Sequence, residues 1–166
     1  MSYDGRAIAN FVLDYCEDNG HPITNLSLQK IVYFCHVWSL ITLGRPLIRH
    51  QFEAWKYGPV LQYLYREFKS FDDDIITNRA KQLDPKTGIK QNAVCDFDPV
   101  TEELLRDVVK FYSQLSAGQL VDLSHVTGGP WHQVWNHDGD VQPGMKIENK
   151  DILEFYSKAS APFTIQ

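Results

Sequence analysis

Apolar positions recur at helical spacing through most of this chain, most densely between Leu28 and Leu43. There Leu28, Ile31, Val32, Cys35, Trp38 and Ile41 share one side, and Phe34, Val37 and Leu40 encroach on the other. Only a narrow polar stripe is left, as on a helix buried in the middle of a domain. Asn25 or Ser27 supplies a cap, and Gly44 followed by Pro46 supplies a stop, so the pattern predicts a helix over 27–43. The stripe holds Gln29, Lys30, Tyr33 and His36, with Gln29 beside Tyr33 and Tyr33 beside His36 at helical spacing. Two roles are open to these groups: lining a site, or satisfying backbone ends and loops inside a packed core.

The flanking pattern is also mainly helical. Ile8, Phe11, Val12 and Tyr15 predict a first helix from Asp4 to Asp18, closed by Gly20. Glu53 to Pro59 reads as a strand or short helix running into a turn, with Pro59 launching a third helix that continues from Val60 to Phe71. The run Asp84-Pro85-Lys86-Thr87-Gly88 signals a turn, and rough alternation from Ile89 to Phe97 suggests a strand. Pro99 opens a helix over 100–115, Ser116 caps another over 117–125, and Gly128-Gly129-Pro130 breaks it. Trp131 and Trp135 follow on a short helical turn, a polar Gly-rich loop spans His137 to Gly144, and a terminal helix runs from Asn149 to about Ser157. The expected fold is mainly α, an α+β domain with a minor β element, arranged as one compact helical unit over residues 1–166 around the buried helix 27–43.

The N-terminus lacks a basic segment followed by an apolar one, and no run of about 18 apolar residues is read anywhere in the sequence. A cytoplasmic, membrane-free protein is expected. Cys16, Cys35 and Cys95 are widely spaced and odd in number, and they read as reduced core residues. Net charge is -5, basic residues are dispersed, and Asp72-Asp73-Asp74 would repel a phosphate backbone, which argues against direct nucleic-acid binding.

Three chemical sites come into question. His132, His137, Asp138 and Asp140 carry metal-ligating atoms, but their spacing matches no established motif, and such loops collect His and Asp for turn formation. No metal is expected there, and no cofactor elsewhere. Ser124 with His125, His36 and Asp122 has the residue types of a nucleophile, base and orienter, yet no Gly-x-Ser-x-Gly elbow surrounds Ser124. Ser124 and His125 read instead as helix C-terminal groups bonding to nearby backbone. There is no phosphate-binding glycine loop. Four Trp, eight Tyr and nine Phe favour an interaction protein. Trp38 and Trp55 are assigned to the core, Trp131 and Trp135 to surface anchors.

A set of residues carries a family resemblance. The run Leu28-Gln29-Lys30-Ile31-Val32-Tyr33-Phe34 is followed by His36, Trp38 and Gly44-Arg45-Pro46-Leu47. Then come Phe52-Glu53-Ala54-Trp55-Lys56-Tyr57-Gly58-Pro59-Val60 and Tyr65 with Glu67-Phe68-Lys69. Leu123-Ser124-His125 and Pro130-Trp131 close the series. Together these resemble the Panacea-domain, SocA-like family of prokaryotic antitoxins over most of residues 5–135. The stretches Ser70 to Phe97 and beyond Trp135 match no pattern of that family.

The resemblance implies a type II antitoxin that neutralises a toxin encoded nearby by direct protein contact. It also implies a phage-defence setting and, in one branch, delivery of the toxin to an ATP-dependent protease. The positions it carries over as signature and binding candidates are Gln29, Lys30, Tyr33, His36, Trp38, Arg45, Glu53, Trp55, Lys56, Tyr57, Gly58, Pro59, His125 and Trp131. The alternatives are a small hydrolase-like enzyme using a His36/Tyr33/Glu53 cleft, and a mobile-element-associated regulatory binding protein.

Overall fold

In a computed structural model of the protein, residues 2–135 and 145–158 are described. Among them are seven α-helices and five short strands: α1 Gly5–Asp18, α2 Asn25–Trp38, β1 Phe52–Trp55, β2 Gly58–Val60, α3 Gln62–Glu67, β3 Lys81–Leu83, β4 Lys90–Asn92, α4 Pro99–Tyr112, α5 Ala117–Ser124, α6 Pro130–Trp135, β5 Lys146–Ile147 and α7 Asn149–Tyr156. The mainly helical fold with a minor β component is as expected. The loop 137–144, and with it His137, Asp138 and Asp140, lies outside the described residues.

Helix α2 is the axis of the domain. Every one of its residues except Leu26 is buried, and α1, α3, α4, α5 and α7 all pack on it. Its cap is Thr24, not Asn25 or Ser27: the Thr24 Oγ1 accepts from the Ser27 N–H at 3.4 Å, while the Asn25 side chain turns inward and donates to the Tyr65 carbonyl at 3.1 Å. Beyond Trp38 the helix widens into a π-helical turn, Ser39–Leu43, and ends at Gly44 with φ 68°, a left-handed conformation that suits glycine. By length and composition Asn25–Leu43 meets the criteria of a membrane span, contrary to the expectation from sequence, but most of that stretch is already covered by the rest of the protein.

Capping chemistry sets the other helix starts. The Asp4 carboxylate accepts from the Arg6 N–H at 2.9 Å to open α1. Asp98 accepts from the Thr101 N–H at 2.8 Å and Pro99 takes the first turn of α4. Ser116 and Gln119 form a reciprocal capping box on α5.

A three-stranded antiparallel sheet, ordered β2-β1-β5, lies beside α2, with Trp55 opposite Gly58 and Phe52 opposite Ile147. Pro59 therefore sits in a strand, not at a helix start. The third helix begins only at Gln62, and residues 69–71 form a separate 3₁₀ turn. The turn after Asp84 does form a hairpin, but β4 covers only Lys90–Asn92 of the expected strand. Asn10 of α1 is buried and holds that hairpin's base, donating to the carbonyls of Ala80 (3.0 Å) and Ala93 (2.8 Å) and accepting from the Ala80 N–H (2.8 Å). Cys16 and Cys35 are buried free thiols; Cys95 is exposed, so it is not a core residue.

Candidate functional site

Most of the signature residues gather on one structure, the β1–β2 hairpin and what braces it. Two residues, Lys56 and Tyr57, connect the strands. Gly58 follows with φ 118°, which an L side chain rarely adopts, and a Cβ there would lie 2.5 Å from the Lys30 Cε and 2.7 Å from the Ser124 Oγ. The missing side chain lets α2 and α5 close on the hairpin.

Two residues of the polar stripe of α2, Gln29 and Lys30, are spent on this closure. The Lys30 ammonium donates to the Pro59 carbonyl at 3.0 Å. The Gln29 Oε1 accepts from the Leu61 N–H at 3.2 Å, and its Nε2 donates to the Asn25 Oδ1 at 3.0 Å. Gln29 thus pairs with Asn25 and not, as the spacing suggested, with Tyr33. Burial lowers the Lys30 pKa from 10.5 to about 7.

His36 belongs to a separate arrangement. Its Nδ1 accepts from the Ile48 N–H at 3.2 Å, and its Nε2 lies 2.9 Å from the Asn149 Oδ1. Burial lowers its pKa, with the Asn149 contact opposing. Tyr33 is sealed beside Tyr156, and burial followed by the charge of Tyr156 raises its pKa. Glu53 accepts from the Trp55 Nε1 at 2.9 Å and pairs with Lys146 at 3.0 Å. His36, Tyr33 and Glu53 therefore do not converge on an open cleft.

At the end of α5, His125 stacks on Trp131, with centroids 3.7 Å apart and planes 6° from parallel. The Trp131 Nε1 donates to the Trp55 carbonyl at 2.7 Å. Burial first, then the charge of Lys30, lowers the His125 pKa, while Asp122 and the Tyr57 backbone oppose. Ser124 donates to the Val121 carbonyl at 2.9 Å, a helix-end contact and not a nucleophile's geometry. Trp131 is 6% exposed and is a brace, correcting its assignment as a surface anchor; Trp135, stacked on it, is 39% exposed. Trp55 is half-buried against Tyr65.

What the bracing leaves in solvent is the tip. Tyr57 is 57% exposed, with the Lys56 ammonium 5.4 Å from its ring centroid. Trp38 and Arg45 lie elsewhere: the Trp38 Nε1 donates to the Tyr112 hydroxyl at 2.8 Å, and Arg45 binds Asp98 (2.8 Å) and the Thr101 hydroxyl (2.7 Å). These partners belong to α4 and its cap. The sequence reading missed Asn149 and Lys146, whose partners are distant in the chain. No group of three or more His, Cys, Asp or Glu side chains suited to a metal occurs among the described residues, and the His132 Nδ1 accepts from the Gly128 N–H at 3.1 Å.

The fold and the braced hairpin define a mainly helical domain that presents a small aromatic surface. The family model "Antitoxin SocA-like, Panacea domain" matches residues 28–132, from the first turns of α2 into α6. The chain is 40% identical over 155 residues to the protein named Antitoxin SocA of Caulobacter vibrioides (strain NA1000 / CB15N), a match covering 93% of this chain and 82% of the relative. This chain belongs to the SocA-like, Panacea-domain antitoxin family. No solved structure matches it.

Proposed function

We propose that this protein is the antitoxin of a type II toxin–antitoxin pair. It acts in the cytoplasm, without catalysis of its own, by binding and blocking a toxin encoded nearby. The observation that carries this reading is the 40% identity to an antitoxin along nearly the whole chain. The arrangement of the hairpin supports it: buried Gln29, Lys30, Gly58 and Trp131 hold a rigid element whose tip, Lys56-Tyr57, stays in solvent. Pre-organised aromatic surface of this kind gives affinity at low entropic cost.

Co-expression with the product of each adjacent reading frame tests the proposal. The expected result is a toxic neighbour whose growth arrest is relieved by this chain and which co-purifies with it at fixed stoichiometry. A toxic neighbour that is neither relieved nor bound would refute it.

A further inference from the structure

We propose that the groove beside the β1–β2 hairpin is the seat of a basic side chain, an arginine presented by the toxin; the inference rests on the antitoxin reading above. The groove has a volume of about 400 Å³; Leu26, Trp55, Tyr57 and Tyr65 give it apolar walls, and its charged lining is Lys30, Lys56, Asp72 and Asp73. Trp55 and Tyr65 meet edge to face, centroids 5.0 Å apart and planes at 63°, so the groove has a corner lined by two aromatic rings. Such rings attract a flat, weakly hydrated cation more than an ammonium or a neutral group.

The carboxylates supply the other half of the recognition. Asp72 and Asp73 are exposed and have no ion-pair or side-chain hydrogen-bond partner among the described residues. The Asp72 N–H bonds to the Lys69 carbonyl at 3.0 Å, which fixes the turn that carries both to the groove. A guanidinium stacked in the corner can reach such carboxylates with its remaining N–H groups.

The two cations of the lining, Lys30 and Lys56, are both engaged by the protein itself. The Lys30 ammonium lies under the hairpin and donates to the Pro59 carbonyl. The Lys56 ammonium is at the tip, over the Tyr57 ring. Asp72 and Asp73 are thus the charged lining residues left without a partner, and the chain as a whole carries -5.

The test measures the affinity of the purified chain for the toxin identified by co-expression, at two salt concentrations. Asp72→Asn/Asp73→Asn is compared with wild type and with Lys110→Gln, an exposed position on α4 that does not line the groove, circular dichroism confirming that each is folded. The double variant is expected to weaken binding at least tenfold and to flatten the salt dependence, with Lys110→Gln binding as wild type does. Unchanged affinity in the double variant would overturn the proposal, as would tighter binding by that variant, since tighter binding marks an acidic occupant. Failure of the wild-type chain to bind any toxic neighbour is a different result, and it overturns the antitoxin reading itself.

Discussion

The His125 imidazole lies flat on the Trp131 indole, and Trp131 passes the contact on by donating from Nε1 to the Trp55 carbonyl at 2.7 Å. The end of α5 is thereby coupled to the last residue of β1. Trp131→Phe keeps an aromatic surface under His125 and deletes the donor, leaving a part-buried carbonyl without its partner. We expect a loss of about 1 kcal/mol in urea denaturation. Hydrogen exchange at the amides of the hairpin tip should quicken in the same variant, and unchanged exchange would show that the tip does not depend on this bond.

Gly58 offers a sharper test of the same bracing. Gly58→Ala adds a methyl against the Lys30 Cε and the Ser124 Oγ, at a φ of 118° that alanine resists. The strained backbone alone costs roughly 1–3 kcal/mol, and displacing Lys30 adds to it. Gly88→Ala, at φ 70° with open space around it, is the control and should cost about 1 kcal/mol. Equal thermal midpoints for the two variants would mean that close approach at Gly58 is unimportant.

Lys30 predicts a dependence on pH. Its folded pKa of about 7 lies below the ordinary 10.5, so between those values the unfolded chain binds more protons and stability rises with pH. Below about pH 7 the full cost of burying the ammonium is present; a shift of that size corresponds to a few kcal/mol. Urea midpoints of wild type should therefore climb relative to Lys30→Met between about pH 7 and pH 10. Parallel curves would show that Lys30 is solvated in the native state.

Much of this architecture is legible from local pattern. Dense apolar spacing and Gly44 delimit α2, Asp98-Pro99 and Ser116 mark the next helix starts, and the Asp84 turn forms its hairpin. The β1–β2 hairpin was harder to read because its two-residue tip, Lys56-Tyr57, carries no glycine or asparagine; the glycine falls one position later, and Pro59 then mimics a helix start. Local spacing also misassigned Gln29, whose acceptor oxygen serves the Leu61 N–H across the domain. Trp131 looked like a surface anchor because the Gly-Gly-Pro loop before it suggested exposure, whereas its donor and ring face are both engaged by distant residues. Pairing of β1 with β5 joins residues more than ninety apart and leaves no local trace.

His36 carries the last prediction, and its protonation follows from the bonds it makes. The Ile48 N–H donates to Nδ1, so that nitrogen is bare; the ring proton is on Nε2 and is donated to the Asn149 Oδ1. A second proton would break the Ile48 bond inside the core, which agrees with a pKa lowered by burial. Because the folded ring resists protonation, the unfolded chain binds more protons as pH falls through the ordinary value of 6.5, and stability declines on the acid side. Asn149 opens α7 two residues after β5, so this contact also holds β5 on β1 and, through Lys146 and Glu53, steadies the strand that leads to the hairpin. Asn149→Ala should cost about 1 kcal/mol at neutral pH. His36→Gln should flatten the fall in thermal midpoint between pH 7 and about pH 5; a slope as steep as that of wild type would place the acid-sensitive group elsewhere.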